Sequence, residues 1–262
     1  PKDFKKLKDE KALNDLNKLK WVVTEKIHGA NFSFIYEERK LKFAKRKEYL
    51  QWTDDFFGFQ LVVNKIEGQI IRLFEQLSQE VKANRLIIYG ELFGGQYPHP
   101  DVPPDTNVQA IQTGVVYSPT INFCAFDIAI EEAQSKYYLD YERAVSYFVL
   151  HRVLHAKILF TGKLHEALQF NIRINSTIPH ELNLPPLAHN LMEGIVIKPL
   201  NHLHSSVALE RPILKVKNPE FDEEEKFHEA KKWSFIPQVS SKTEDLSFLV
   251  DEVRGYINEN RL

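Results

Sequence analysis

The sequence predicts an α+β domain built on antiparallel sheets. Its strand-like segments are gathered in non-alternating order around a few long helices, whereas a doubly wound parallel fold alternates strand and helix regularly. The chain has 262 residues, of which 43% are hydrophobic and 27% are charged, as in soluble globular proteins with one sizeable core. Its formal net charge of −2 argues against bulk electrostatic capture of nucleic acid, but a local basic cleft remains compatible with it.

The strands are predicted from short apolar runs bounded by turn-forming residues. They span residues 21–25, 32–37, 40–45, 85–93, 121–130, 193–198 and 212–217. The short polar turn Glu37-Glu38-Arg39 joins the second to the third, and Gly94 and Gly95 end the fourth. Proline-marked segments at 96–120 and 178–190 are predicted to be loops, and long loops inside compact domains are often functional.

The helices are predicted mainly from apolar residues at helical spacing. They span residues 3–19, 56–82, 140–155, 163–170 and 220–232. A last amphipathic stretch presents Leu246, Leu249, Val253 and Ile257 on one face, after a helix start at Thr243 and Glu244. We therefore expect a main domain over residues 1–235 and a short helical C-terminal extension over residues 236–262.

The cysteine count and the hydropathy pattern bear on the location of the protein. Cys124 is the single cysteine, so no internal disulfide can form, and a reducing intracellular compartment is expected. No apolar run approaches membrane-spanning length, and no signal peptide is evident. We expect an intracellular protein without a membrane partner, cytoplasmic if its source is bacterial or viral.

The most informative segment is Glu25-Lys26-Ile27-His28-Gly29-Ala30-Asn31-Phe32, which lies between two predicted strands. Lysine is usually a solvated surface residue, so a lysine between core strands needs a reason. We favour a nucleophilic role, in which Lys26 attacks the α-phosphate of a nucleotide and carries AMP as a phosphoramide. The spacing alone is weak evidence, because Lys65-Ile66-Glu67-Gly68 repeats it on the surface of the predicted long helix.

Further charged motifs follow Lys26 along the chain. They are Ala44-Lys45-Arg46, Gly90-Glu91-Leu92-Phe93-Gly94, Phe126-Asp127, Glu193-Gly194-Ile195-Val196-Ile197-Lys198-Pro199 and Leu214-Lys215-Val216-Lys217. A charge on an apolar strand is costly to bury without a partner. Here charges of both signs recur at strand ends, which is the arrangement that a buried anionic ligand with a metal requires.

In this order, the motifs resemble those of the covalent nucleotidyltransferases, which include ATP-dependent RNA ligases, DNA ligases and mRNA capping enzymes. His28 stands where DNA ligases and capping enzymes usually have aspartate, and the segment from Glu25 to Phe32 is similar to the nick-sealing phage RNA ligase and the RNA-editing ligases of trypanosomes. The resemblance covers residues 20–218 and implies the nucleotidyltransferase fold. It also implies a ligase that uses ATP with Mg²⁺, or Mn²⁺ in its place, to join RNA 3′-hydroxyl and 5′-phosphate ends through lysyl-AMP.

The resemblance also implies roles for residues near the predicted nucleophile. Lys26 takes AMP from ATP, and His28 acts after that step, at the RNA end. Glu25 and Asn31 are assigned to nucleotide binding by resemblance alone. Arg46 resembles an arginine that helps at the ribose and phosphates, although a solvated basic turn is the alternative. A structural histidine likewise remains open for His28.

Residues later in the chain complete the implied site. Glu91 is assigned to the ribose hydroxyls, and Glu193 to the metal or to water around it. Lys215 and Lys217 share one face of a strand and are assigned to catalysis at the nucleotide phosphates, with surface alternation as the alternative. Phe126 is the candidate for adenine stacking, although a phenylalanine in an apolar strand is ordinarily core. Lys198 is a weaker candidate without an assigned role.

The chain after Lys217 is too short for a substantial second domain, although the family usually carries one that grips RNA. The RNA grip is then minimal, or it comes from a protein partner or a missing C-terminal domain. Two other functions stay open. One is a ligase for DNA or DNA–RNA hybrids or a capping-like transferase, and the other is a nucleotide-binding or RNA-binding module with a degenerate site.

Overall fold

Apolar strands pair into two antiparallel sheets in the computed structural model, which describes residues 16–201 and 211–223. The strands are β1 (Trp21–Glu25), β2 (Ala30–Glu37), β3 (Lys40–Lys45), β4 (Tyr49–Leu50), β5 (Arg85–Gln96), β6 (Ser118–Glu131), β7 (Lys136–Tyr138), β8 (Ile158–Gly162), β9 (Gly194–Pro199) and β10 (Leu214–Lys217). The helices are α1 (Phe59–Glu80), α2 (Tyr141–Leu150), α3 (Leu164–Leu168), α4 (Ile178–Glu181) and α5 (Pro219–Glu223). The predicted α+β class with antiparallel sheets is confirmed.

The larger sheet has six strands in the order β4-β3-β2-β5-β6-β7. Its inner face packs against α1, whose apolar stripe includes Val62, Ile70 and Leu77. From the sheet, Phe32 and Phe34 meet that stripe and contact each other edge to face, with ring centroids 5.1 Å apart. The burial of this face against a long helix stabilises the larger half of the domain.

The smaller sheet has four strands in the order β10-β9-β1-β8. Trp21 of β1 is fully buried beneath it, together with Ile197 of β9 and residues of α3. A separate apolar cluster, which includes Ile27, Phe93 and Tyr117, joins segments that lead into both sheets. Since β1 belongs to the smaller sheet and β2 to the larger one, residues 26–29 form the link between them.

Several predicted boundaries shift in the structure. Strands β5 and β6 are longer than predicted and leave an irregular segment at 97–117, so the predicted loop over 96–120 is real but shorter. The helix predicted over 140–155 ends at Leu150, because Arg152 adopts a left-handed φ of 56° and the chain then turns into β8. The predicted loop over 178–190 contains the short helix α4.

The short strands β4, β7 and β8 are absent from the prediction. In β8 every residue is half-buried at the edge of the smaller sheet, so its sequence shows no alternation between the faces. Most of the predicted helices over 3–19 and 220–232, the terminal amphipathic stretch and the predicted division at residues 235 and 236 lie outside the described residues. Within the part of the chain that the structure describes, no helix is both long and apolar enough to cross a bilayer.

Candidate active site

Lys26 lies directly after β1, on the link between the two sheets. Its backbone N–H donates to the carbonyl oxygen of Gly194 at 2.9 Å, which ties the link to β9. Gly29 lets the link pass close to β5, because a Cβ at this position would lie 2.0 Å from the carbonyl oxygen of Leu92. The glycine of the K-x-x-G spacing is therefore required by a close backbone approach.

The ammonium group of Lys26 contacts the carboxylate of Glu193, with Nζ 2.5 Å from Oε2. His28 Nδ1 lies 3.3 Å from the same oxygen, and Lys217 Nζ lies 3.4 Å from Oε1. Only 2% of the Glu193 side chain is exposed. Burial by itself raises the pKa of this carboxyl, but the hydrogen bond from His28 and the charge and hydrogen bond of Lys26 outweigh it and lower the pKa to about 2.

These groups open onto one cleft of about 810 Å³, here called the lysine cleft. Every residue that the sequence singled out for the site lines it, although the individual roles stay predictions. These residues are Glu25, Lys26, His28, Asn31, Arg46, Glu91, Phe126, Glu193, Lys198, Lys215 and Lys217. Lys65 of the second K-x-x-G does not line the cleft and instead donates to Asn122 Oδ1 at 3.2 Å.

The larger sheet supplies one wall of the lysine cleft. Asn31 of β2 lies opposite Glu91 of β5 in the strand register. Burial raises the pKa of the Glu91 carboxyl to about 7, although the positive charge of Lys26 lowers it. Arg46 follows β3 and is exposed at the rim. This wall therefore presents a carboxylate at its floor and a guanidinium at its edge.

The smaller sheet supplies the opposite wall. Lys215 and Lys217 line the cleft from β10, as residues two apart on a strand should. Lys215 is exposed, whereas Lys217 is half-buried beside Glu193. Two cations on one face suit the phosphates of an anionic ligand.

Glu25 lines the lysine cleft, and its carboxylate is bonded to a distant segment of the chain. Its Oε2 accepts hydrogen bonds from the backbone N–H of Thr177 at 2.8 Å and from Thr177 Oγ1 at 2.7 Å. The side chain is buried, and burial raises the pKa of its carboxyl. The contacts of Glu25 among the described residues thus tie β1 to the segment before α4.

Phe126 is partly exposed in the lysine cleft, as adenine stacking requires, and is not a fully buried core residue. Lys198 lies beneath it and donates to the Phe126 carbonyl oxygen at 2.5 Å. The ammonium also lies 3.0 Å from Asp127 Oδ1, and Arg211 contacts the same oxygen at 2.9 Å. Burial lowers the pKa of Lys198 to about 8, against the opposing charge of Asp127. Lys198 thus supports the strand that carries Phe126.

Tyr117 is a residue that the sequence analysis missed. It is fully buried, and its hydroxyl oxygen accepts the backbone N–H of His28 at 2.9 Å. Tyr117 lies in the predicted loop over 96–120, where no periodic pattern marks a residue as important. Its only sequence signal was the general association of long loops with function.

The carboxylates of the lysine cleft bear on metal binding. Residues 16–201 and 211–223 contain no group of three or more His, Cys, Asp or Glu side chains arranged to hold a metal ion. Glu193 and Glu91 nevertheless face the same cleft, and Mg²⁺ often takes one or two protein carboxylates and completes its shell with water and substrate phosphates. The residues therefore fit a metal that arrives with a phosphate ligand.

The fold has the same architecture as solved RNA ligases. The structure of Naegleria gruberi RNA ligase with PPi has a TM-score of 0.54 at 16% identity, over 82% of this chain and 54% of that chain. A point mutant of the same ligase with ATP and Mn also scores 0.54 at 16% identity, over 80% and 53% of the two chains. At this identity the likeness shows the fold alone, and it confirms the predicted nucleotidyltransferase fold.

Sequence comparisons give the family. RNA-editing ligase 2, mitochondrial, from Trypanosoma brucei brucei is 34% identical over 201 residues, which cover 68% of this chain and 48% of that protein. RNA-editing ligase 1, mitochondrial, from the same organism is 31% identical over 207 residues, which cover 68% and 44%. The chain thus spans about half the length of these curated relatives. Because a family model described as RNA ligase also matches residues 19–217, the chain belongs to the RNA ligase family.

Proposed function

We propose that this chain carries the nucleotidyl-transfer site of an ATP-dependent RNA ligase, which joins 3′-hydroxyl and 5′-phosphate ends at nicks in duplex RNA. The observation that carries the proposal is the contact between Lys26 Nζ and Glu193 at 2.5 Å, inside a cleft that also holds Lys215 and Lys217. A lysine held against a carboxylate and facing two further cations is poised to meet a polyphosphate.

In the first step, the Lys26 ammonium gives one proton to water, its nitrogen attacks the α-phosphorus of ATP, and the nitrogen gives a second proton to water as the phosphoramide forms. A nitrogen–phosphorus bond forms, the bond from the α-phosphorus to the bridging oxygen breaks, and pyrophosphate leaves. Glu193 orients the lysine nitrogen through its hydrogen bond. Lys215 and Lys217 offset the charge that develops on the phosphates, and this charge neutralisation is the main form of catalysis in phosphoryl transfer.

In the second step, an oxygen of the RNA 5′-phosphate attacks the phosphorus of lysyl-AMP. The nitrogen–phosphorus bond breaks, and Lys26 regains a proton as AMP moves to the RNA end. In the third step, the 3′-hydroxyl oxygen attacks the 5′-phosphate and AMP leaves with the bridging oxygen. His28, which lies 3.3 Å from Glu193, is proposed to act in these later steps.

The reaction needs a divalent metal, which we propose to be Mg²⁺, with Mn²⁺ as a substitute. Glu193 would hold it directly or through water, with Glu91 as the second carboxylate of the cleft. A bound divalent ion supplies charge neutralisation at the phosphates. When Lys26 carries AMP it no longer has a positive charge, so Glu193 loses one of the cations that contact it in the free protein and keeps Lys217.

The proposal is tested by incubating the protein with α-labelled ATP and Mg²⁺ and separating the products on a denaturing gel. Wild type should retain label, and Lys26→Ala should retain none. Lys65→Ala is a matched control, because it removes the lysine of the same K-x-x-G spacing outside the cleft. A folded wild type that takes no label from ATP or GTP would contradict the proposal.

The polynucleotide is tested with a panel of nicked duplex RNA, single-stranded RNA, nicked DNA and DNA–RNA hybrids. We expect nicked duplex RNA to be sealed fastest. Equal or faster sealing of nicked DNA would favour a DNA ligase instead. Since the chain spans about half of its relatives, a protein partner or a further domain is proposed to strengthen the grip on RNA inside the cell.

A further inference from the structure

We infer that Tyr117 is a positioning residue for His28, and that it belongs to a hydrogen-bonded bracket that holds both ends of the segment around Lys26. The bracket consists of Glu25, Thr177, Asn190, Tyr117 and His28, joined through the backbone of neighbouring residues. The inference rests on the proposed function, because it assigns these side chains to the geometry of the nucleophile.

The first arm of the bracket holds His28. The Tyr117 hydroxyl accepts the His28 backbone N–H at 2.9 Å, and the Tyr117 ring packs edge to face on Phe93 with centroids 5.1 Å apart. Burial raises the pKa of Tyr117 well above its usual value, so the hydroxyl stays neutral at any working pH. The bond to the His28 N–H is part-buried, and loss of its acceptor carries a free-energy cost, so this contact helps to hold the His28 backbone.

The second arm holds Glu25. Both the N–H and the hydroxyl of Thr177 donate to Glu25 Oε2, at 2.8 and 2.7 Å. The neighbouring Ser176 donates its N–H to the Asn190 carbonyl oxygen at 2.8 Å. Glu25 is therefore attached to the chain around Asn190 through two consecutive residues.

Asn190 joins the two arms. Its side-chain Nδ2 donates to the Val116 carbonyl oxygen at 2.7 Å, and its Oδ1 accepts the Val116 N–H at 2.9 Å. Asn190 is 4% exposed, so its side-chain end of both bonds is buried. Because Tyr117 follows Val116, the path from Glu25 through Asn190 returns to His28.

The segment between the arms contains Lys26, whose own backbone N–H is held by Gly194. The bracket therefore holds the residues on both sides of Lys26, whereas the Lys26 side chain itself contacts Glu193 in the cleft. A displacement of about 1 Å at a reacting group costs on the order of a hundredfold in rate. A small displacement of His28 should therefore lower the sealing rate measurably.

The test is Tyr117→Phe, which keeps the ring and removes the acceptor. We expect its sealing rate on pre-adenylylated nicked RNA to fall at least about tenfold. Tyr97→Phe is the matched control, because Tyr97 belongs to the same irregular segment and its hydroxyl donates to the Pro185 carbonyl oxygen, outside the lysine cleft. The control should stay within about twofold of wild type.

A double-mutant cycle with His28→Ala separates positioning from general stability. If Tyr117 acts through His28, Tyr117→Phe should lower sealing by less than about twofold in the His28→Ala background. Multiplicative effects of the two substitutions, or an unchanged rate in Tyr117→Phe alone, would overturn the inference. Melting temperatures are recorded for every variant, and rates are measured well below them.

Amide hydrogen exchange gives a readout that does not depend on catalysis. Tyr117→Phe should speed exchange of the His28 N–H at least about tenfold, whereas Tyr97→Phe should leave it unchanged. Equal protection of that amide in wild type and Tyr117→Phe would overturn the bracket. A wild type without the AMP adduct would instead contradict the proposed function, and the exchange measurement would still decide the bracket.

Discussion

At the scale of single residues, Glu193 contacts three basic side chains of the lysine cleft. Lys26 and His28 share one of its oxygens, and Lys217 faces the other. The carboxylate is thereby kept ionised in a buried place, where an unpaired charge would be costly. Its charge is therefore coupled to the stability of the folded chain.

This coupling predicts how stability depends on pH. Since the folded pKa of Glu193 is about 2 and its ordinary value is 4.5, the ionised carboxylate contributes stability above about pH 4.5 and loses it as the pH falls towards 2. Glu193→Gln lacks this titration, so wild type should be more stable than the variant by roughly 3 kcal/mol at pH 7. Urea unfolding between pH 7 and pH 3 should show this advantage shrinking below about pH 4.5.

The comparison cancels the titrating groups that lie far from Glu193, because both proteins share them, whereas the pKa of Glu91 depends on the Glu193 charge and changes with the substitution. A wild-type advantage that stays constant from pH 7 to pH 3 would show that the ion pairs of Glu193 contribute little. Glu193→Ala is a poorer comparison, because it also removes packing volume at a site that is 2% exposed.

At the scale of elements, β9 and β10 must approach closely to bring Glu193 and Lys217 together. Gly194 lies opposite Lys217 in the register, and a Cβ on it would lie 2.1 Å from the Val216 carbonyl oxygen. Gly194→Ala should therefore push the strands apart and lower the free energy of unfolding by about 1–3 kcal/mol. The displacement should also lower the rate of AMP-adduct formation on the order of a hundredfold.

Gly68→Ala is the control for this substitution. Its Cβ would meet only the end of the flexible Arg72 side chain, at 3.5 Å, within α1. Alanine favours a helix interior over glycine by about 1 kcal/mol, so this variant should be slightly more stable with unchanged adduct formation. If Gly194→Ala and Gly68→Ala have equal stability in urea unfolding and equal AMP labelling on gels, a close approach of β9 and β10 is not required.

The same strands show what could be predicted from sequence. Lys26, Glu91 and Glu193 could be found because a charge on or beside an apolar strand is unusual, and their order along the chain matched a family. The structure adds that all of them line one cleft. Strands β4 and β7 escaped because they have two and three residues, and β8 escaped because it is half-buried throughout and shows no alternation.

Other residues could not be predicted because their contacts are made through the backbone. Tyr117 accepts a main-chain N–H, and Asn190 pairs with both main-chain groups of Val116. Such contacts depend on how the loops pack against the sheets, and loop packing produces no periodic pattern in the sequence. The contact of Glu25 with Thr177 escaped prediction for a related reason, because Thr177 is distant in the chain.

At the scale of the whole molecule, charge is unevenly distributed. The formal net charge is −2, yet the lysine cleft gathers the cations Lys45, Arg46, Lys47, Lys215 and Lys217 on its walls and rim. Local field, rather than net charge, should then govern RNA binding. The effects of local field and of net charge can be separated by making the same charge change inside and outside the cleft.

Lys47→Glu and Lys82→Glu alter net charge equally, but of these two exposed lysines only Lys47 lines the cleft. Lys47→Glu should weaken binding of nicked RNA about tenfold at low salt. It should also reduce the slope of log K against log salt by about 0.7–0.9 for each phosphate that the variant no longer neutralises. Lys82→Glu should change neither the affinity for nicked RNA nor the salt slope. Both quantities are measured by fluorescence anisotropy across a salt series. Equal weakening by both variants would assign RNA binding to net charge.

The link over residues 26–29 joins the two sheets, and it bears the nucleophile. Glu193 and Lys217 belong to the smaller sheet's wall, and Asn31 and Glu91 to the larger sheet's wall. If one sheet moves against the other, the width of the cleft and the position of Lys26 change together, because Lys26 lies on a segment that joins its two walls. Entry of a substrate and movement of the Lys26 nitrogen towards phosphorus would then be coupled in one motion.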